Sequence, residues 1–245
     1  MKNAPGNRLI SGCYDGSIKI WDRESGECIK TINVHTDVVC GILIDSNGKL
    51  VTHSLDQTIR CFDLNNFDCL WKIDAYARSC DLLSNNKLIF CDDHIKIQVW
   101  ETNTCTCLKT IEYNAWRVKG ISDELIATGS FQNEIIIWNI ESGTCLKTLQ
   151  RNSSDGYIAI IQSLESFIKI SDEQIASGLD KNTIKIWNIN SGQCLKIINT
   201  LSICSLKKLS DKKIISCSSD RIQVWDIETG ECLKLIETDC YNFDF

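Results

Sequence analysis

The residues able to do chemistry are few and dispersed. Three histidines, His35, His53 and His94, fall in the first half of the chain without paired spacing. A zinc hydrolase would carry two of them a helical turn apart with a glutamate beside them, and no such H-E-x-x-H run occurs. Cys105 and Cys107 form C-x-C, but no histidine or second cysteine pair completes a zinc set. There is no Gly-rich phosphate loop and no G-x-S-x-G elbow. Asp15, Asp56, Asp180 and Asp220 sit in turn-forming stretches, where a carboxylate serves backbone N–H groups rather than a substrate. The expectation is a chain with no catalytic residue, no metal and no cofactor.

Bulk properties narrow the partner. The 245 residues carry a net charge of −6, which disfavours a nucleic-acid binder that works by neutralising phosphates. No apolar run approaches the ~18–20 residues that span a bilayer, and the opening "MKNAPGNRLIS" lacks a signal peptide's apolar stretch. These features predict no membrane partner and an intracellular, cytoplasmic location. Of fifteen cysteines, six recur at one phase, Cys28, Cys69, Cys107, Cys145, Cys194 and Cys232. Such a recurrent cysteine reads as a reduced thiol and a small buried apolar filler.

The elements behind these residues repeat. An aromatic anchor recurs at Trp21, Phe62, Trp100, Trp138, Trp187 and Trp225, spaced 41, 38, 38, 49 and 38 residues apart. Each ends an alternating run ("SIKIW", "TIRCF", "KIQVW", "EIIIW", "TIKIW", "RIQVW"), the pattern of a half-buried strand. A short strand precedes each run ("RLISG", "KLVTH", "KLIFC"), and a turn plus a "CLKTI"-like strand follows it. A fourth, less regular strand lies between units, as in "VVCGILI" (38–44) and "RVKGIS" (117–122). Four short strands every ~40 residues build a β-propeller blade.

Trp-Asp stands at Trp21-Asp22 and Trp225-Asp226 and softens to Phe62-Asp63, Trp100-Glu101, Trp138-Asn139 and Trp187-Asn188. On these six phased copies the chain resembles the WD-repeat β-propeller family along nearly its whole length. The expected fold is all-β: a single domain, 1–245, of six four-stranded antiparallel blades. Counting strands gives the first unit only three, so the terminal "YNFDF" (241–245) is expected to supply its innermost strand and close the ring.

The resemblance assigns His35 to a structural hydrogen-bonded group with Asp56 and Thr52 or Ser54, incomplete because Phe62 replaces the family's tryptophan. It also implies a rigid, non-enzymatic scaffold that holds a protein or peptide on one face. Carried over blade by blade, the turn positions of that face are Tyr14, Leu55, Asp92, Phe131, Leu179 and Ser219. Aligning the inner-strand starts adds Arg78 and Arg117 at one level and Lys119 at the next, beside Trp116. Aromatic and cationic side chains together suit an acidic or phosphorylated segment. An insertion of about 11 residues within 150–166 is apolar enough, with Tyr157 and Ile158, either to pack back or to meet a partner. The alternative is a propeller that binds a small molecule or metal in its central channel, possibly as an enzyme. By itself the chain is expected to be a monomer.

Overall fold

The computed structural model describes residues 1–45, 47–92, 96–130, 134–150, 167–180, 182–200, 203, 205–218 and 220–237. They contain twenty-four strands and no helix, in six antiparallel four-stranded sheets whose strands follow one another in chain order. Blade 1 holds β1 (Lys2–Ala4), β2 (Arg8–Gly12), β3 (Ser17–Asp22) and β4 (Cys28–Asn33). Blade 2 holds β5 (Val39–Ile44), β6 (Lys49–Ser54), β7 (Thr58–Asp63) and β8 (Cys69–Asp74). Blade 3 holds β9 (Ser79–Leu82), β10 (Lys87–Cys91), β11 (Lys96–Glu101) and β12 (Thr106–Glu112). Blade 4 holds β13 (Arg117–Gly120), β14 (Leu125–Gly129), β15 (Glu134–Asn139) and β16 (Thr144–Gln150). Blade 5 holds β17 (Phe167–Lys169), β18 (Gln174–Asp180), β19 (Thr183–Asn188) and β20 (Cys194–Asn199). Blade 6 holds β21 (Ser205–Ser210), β22 (Lys213–Cys217), β23 (Arg221–Asp226) and β24 (Cys232–Glu237). The chain divides into two compact units, one with blades 1–3 (Met1–Asn114) and one with blades 4–6, from Ala115 onward.

The strand count of the first unit needs correcting. β1 pairs with β2, Lys2 opposite Ile10 and Ala4 opposite Arg8, so blade 1 draws its fourth strand from its own N-terminal residues. Pro5, Gly6 and Asn7 make the return possible, the last two with φ of 74° and 57°, and Arg8 Nε donates to the Pro5 carbonyl at 2.8 Å. Three residues are too few to show alternation, which is why the strand is invisible in the sequence. The place of 241–245 lies outside the described residues.

Each blade shares one irregularity. The register between third and fourth strands shifts at the aromatic, so that Trp21 opposes Cys28 while Ile20 opposes Lys30. Ile29 is the unpaired extra residue of a β-bulge, and Leu70, Leu108, Leu146, Leu195 and Leu233 hold the same place. This overturns the reading of the repeated cysteines as buried filler: all six are exposed. The bulge flips the strand's parity, leaving each cysteine on the face opposite the residues two and four places on, as Cys28 lies opposite Lys30 and Ile32. Five of the thiols donate weakly to the carbonyl two residues on, as Cys194 Sγ does to Lys196 O at 3.4 Å.

Packing between consecutive blades forms the cores. Within the first unit, Ile10, Ile18 and Ile20 of blade 1 meet Leu50, Phe62 and Leu64 of blade 2. Val51, Ile59, Cys61 and Ile73 of blade 2 meet Leu88 and Phe90 of blade 3. Within the second unit, Ile135, Ile137 and Leu149 meet Phe167, Ile175 and Trp187, and Ile184, Ile186 and Ile198 meet Leu206, Ile214 and Trp225. The anchoring indoles are also tied within their blades. Trp21, Trp138, Trp187 and Trp225 each donate Nε1–H, at 2.8 Å, to Ser11, Thr128, Ser177 and Ser216 respectively.

Candidate interaction surface

In the first unit, two turns and one connecting segment are laced into a rigid exposed surface. The β2–β3 turn lifts Tyr14 to 89% exposure, and the β6–β7 turn leaves Leu55 42% exposed. Both turns bind the segment 34–39 that joins blade 1 to blade 2. His35 N–H donates to Gly16 O at 3.0 Å and Val39 N–H to Cys13 O at 3.1 Å. From the other side, Leu55 N–H donates to Val38 O at 3.1 Å and Ser54 Oγ to Asp37 O at 3.0 Å. Gly16 takes φ of 82°, and a side chain there would run into the His35 and Asp37 carbonyl groups, so the close approach requires glycine.

The two turn aspartates are structural. Asp15 Oδ1 accepts from Ser17 N–H at 3.0 Å and from Ser17 Oγ at 2.6 Å. Asp56 does the same for Thr58, at 3.0 and 2.7 Å. Its second oxygen takes Thr36 N–H at 3.1 Å and lies 2.9 Å from His35 Nδ1, while His35 Nε2 lies 2.8 Å from Thr52 Oγ1. Nδ1–H therefore donates to the carboxylate and Nε2 accepts from the threonine hydroxyl, a tautomer set by these partners. His35 is fully buried at its side chain, and burial holds its pKa below the usual 6.5 despite the Asp56 contact. Burial also disfavours ionised Asp56, but the bonds from Thr58, Thr36 and His35 outweigh it and bring the carboxyl down to about 2. The expected group of Asp56, His35 and Thr52 is thus formed, with Phe62 contributing no donor. It fixes the turn beneath Leu55.

Between the two turns, Thr36, Asp37 and Cys40 are exposed and Val38 is half-buried. Sequence reasoning missed this segment, although the His35–Asp56 pairing that holds it was legible. Asp92, aligned with Tyr14 and Leu55, is instead buried, its Oδ1 accepting Lys96 N–H at 2.9 Å and its Oδ2 the Gln98 amide at 2.8 Å.

The register changes the alignment of the inner-strand cations. Arg78 N–H donates to Cys91 O and Trp116 N–H to Gly129 O, with Ser79 opposite Cys91 and Arg117 opposite Gly129. Arg78 is therefore level with Trp116, each following a buried alanine, Ala77 or Ala115. Arg117 stands level with Ser79, one place further in. In the second unit Trp116, Arg117 and Lys119 are half-buried around the buried Val118. Leu179 lies in β18, with its side chain outside the described residues. Phe131, Tyr157 and Ile158 also lie outside them. Among the described residues no group of three His, Cys, Asp or Glu is placed to hold a metal ion, and no helix is long and apolar enough to cross a membrane.

Comparisons with known proteins agree with the fold. The family model described as "WD domain, G-beta repeat" matches residues 2–22 and 26–63, which take in blade 1 and the first three strands of blade 2. A second model, "Cytolethal distending toxin A/C domain", matches 134–245; the described residues of that range form strands of blades 4 to 6, in the same order as blades 1 to 3. The chain is similar to the COMPASS component SWD3 of Saccharomyces cerevisiae, 39% identical over 28% of this chain and 22% of that protein. It is similar to Mitochondrial division protein 1 of Pyricularia oryzae, 38% identical over 26% of this chain and 9% of that one. Cell division control protein 4 of S. cerevisiae is 30% identical over 32% and 11%. The chain thus matches less than a quarter of the length of each of these relatives. Among solved structures, the computationally designed Ika8 protein superposes with a TM-score of 0.75 at 22% identity, over 94% of this chain and 71% of that one.

Proposed function

Because the chain is a WD-repeat β-propeller protein, we propose that it serves as a non-catalytic scaffold that holds a protein or peptide segment on the turns of blades 1 and 2. The observation that carries this reading is the pair of exposed apolar tips, Tyr14 and Leu55, fixed on either side of Val38 by hydrogen bonds to the 34–39 segment. A rigid tip loses little entropy when it is covered, so it yields affinity that a mobile loop would forfeit. Arg78, at the start of β9 in the same unit, supplies a guanidinium suited to a carboxylate or phosphate on the bound segment. In the second unit Trp116, Arg117 and Lys119 offer a further combination of aromatic ring and cations.

The test is a peptide array, including acidic and phosphorylated sequences, probed with the full chain. Binding should fall by roughly 30-fold in Tyr14→Ala and Leu55→Ser variants, the size of a ~2 kcal/mol anchor. Arg78→Gln should weaken the acidic and phosphorylated binders selectively and flatten their salt dependence. Peptides that bind all three variants as tightly as the unsubstituted chain would refute this placement.

A further inference from the structure

The segment 34–39 and the two turns that grip it carry three carboxylates, Asp15, Asp37 and Asp56, and among the described residues no lysine or arginine pairs with any of them. Asp56 is ionised, since its hydrogen bonds outweigh burial and bring the carboxyl down to about 2. The imidazole that donates to it is neutral at neutral pH, because burial keeps His35 below its usual 6.5. This pair therefore leaves a full negative charge in the Leu55 turn. Asp15, beside Tyr14, is exposed, and the bonds from Ser17 lower its carboxyl. Asp37 is exposed too, and the two turns meet at its backbone. A Cβ on Gly16 would lie 3.0 Å from the Asp37 carbonyl oxygen, and Ser54 Oγ donates to that same oxygen from the other side. Asp37 thus stands between the turn of Tyr14 and the turn of Leu55.

Turn carboxylates of the second unit are neutralised within their own blades. Asp172 meets Lys169 at 2.7 Å, Asp211 meets Lys208 at 2.8 Å, and Asp220 pairs with Arg221. The strands that follow the two tips do carry basic residues, but these are engaged elsewhere. Lys19 Nζ lies 5.9 Å from the Trp21 ring centre, and Arg60 Nε donates to Thr58 Oγ1 at 3.2 Å. Asp15 feels Lys19 and His35 feels Arg60 only at a distance. Cys40, at the start of the adjoining inner strand, reports the resulting field. Partial burial is the first cause that lifts its thiol above the usual range, and the charges of Asp37 and Asp56 lift it further.

We propose that the segment bound across these turns presents a lysine or arginine to Asp37 and Asp15, next to an apolar residue that covers Tyr14 or Leu55. This partner charge rests on the reading of the turns as a binding surface. Charge complementarity selects it. A cation between Asp15 and Asp37 meets two carboxylates that bring no cation of their own to be displaced, whereas an anion there faces like charges. The ring of Tyr14, 89% exposed, offers its face to the same cationic group. The aliphatic stem of a lysine or arginine also covers the half-buried Val38 while its head stays with the carboxylates. The acidic or phosphorylated group that suits Arg78 belongs further along the segment, in blade 3, so the two signs follow a fixed order.

The experiment takes from a random-sequence peptide array those binders of the full chain that Tyr14→Ala or Leu55→Ser releases, and titrates them as labelled peptides by fluorescence anisotropy. These binders should be enriched in lysine and arginine, and changing the basic residue to glutamine should weaken binding about five- to tenfold. Asp37→Asn and Asp15→Asn remove charge but keep the oxygen that accepts Val38 N–H or Ser17 N–H, so the turns keep their shape. Each should weaken the basic peptides about two- to fivefold, leave their glutamine counterparts unchanged, and flatten the salt dependence. Unchanged thermal midpoints in both variants check that the turns are intact. Three results would overturn the assigned charge while leaving the binding surface standing: binders with no excess of basic residues, a preference for acidic residues at the tips, or an Asp37→Asn loss equal for basic and glutamine peptides. An array in which no binder depends on Tyr14 or Leu55 would overturn both.

Discussion

The bond from Trp138 Nε1 to Thr128 Oγ1, 2.8 Å long between two buried side chains, is where the repeat's stability can be measured. Trp138→Phe keeps an aromatic ring but removes the donor and roughly 40 Å³ of side chain. At ~24 cal/mol per Å³ the void costs about 1 kcal/mol, and stranding the buried hydroxyl adds about 1–2 kcal/mol, a total of ~2–3 kcal/mol. Thr128→Val conserves shape but faces the indole N–H with a methyl, again at about 1–3 kcal/mol. The double variant strands neither group. It should therefore be more stable than the sum of the single losses predicts, by a coupling of about 1–2 kcal/mol. Urea unfolding followed by far-UV circular dichroism, with the m-value checked for constancy, supplies all four free energies. Additivity within ~0.5 kcal/mol would refute the reasoning, since it would mean the bond contributes nothing beyond the packing of the two side chains.

Acid should destabilise the chain in two steps. His35 has its pKa lowered, so its contribution is complete above 6.5 and is lost as pH falls below that value; Asp56, lowered to about 2, loses its contribution between about 3.8 and 2. Urea midpoints at a series of pH values should show both steps, and His35→Gln should abolish the upper one. Glycine substitutions should rank by what a Cβ meets. Gly16→Ala, at positive φ against backbone carbonyls, should cost most. Gly41→Ala, which only has to displace the His53 ring, should cost less, and Gly26→Ala, strained but in open space, about 1 kcal/mol; thermal melts of the three check the order. Brief alkylation of the native chain followed by peptide mapping should label the six repeated cysteines. Cys61, buried and pushed up to about 12, and Cys217 should react only after unfolding.

Blade number and strand order were legible because β-branched alternation ending in an aromatic survives six times, and each copy must bury one face. What was not legible depends on single-residue offsets. A bulge adds one residue and so reverses which face a cysteine occupies, a change no period-two reading detects. The link between the outer strand of one blade and the inner strand of the next has no fixed pattern. Arg78 was therefore matched to Arg117 when hydrogen bonding matches it to Trp116. The rigid surface was half visible: Tyr14 and Leu55 follow from the turns, but the segment between them becomes important only once Gly16, Asp56 and Ser54 are seen to grip it from both sides.

With the bulge in place, every letter of the repeated "CLKxI" phrase has a separate physical task. The cysteine opposes the aromatic and closes the bulge, the leucine is the extra residue, and the final isoleucine turns inward wherever a blade follows. The lysine reaches the outer turn of the next blade, where the residue two places before the repeated cysteine takes positive φ in Phe67, Cys105, Gly192 and Gly230. Lys30 holds its ammonium 4.8 Å from the Phe67 ring centre; Lys147 lies against Gly192; Lys196 lies against Gly230 and donates to the Glu228 carbonyl. Blade 2 departs from the phrase, with Trp71 in place of lysine, and blade 3 departs with it, with Cys105 in place of glycine; both side chains pack on the same core cluster. A tether of charge to backbone has been exchanged for apolar contact on both sides of one junction. At the junction of blades 1 and 2 the change is one-sided, with Phe67 in glycine's place facing the retained Lys30 ammonium; at the junction of blades 2 and 3 both sides change together, which leaves neither a buried amine nor an empty site.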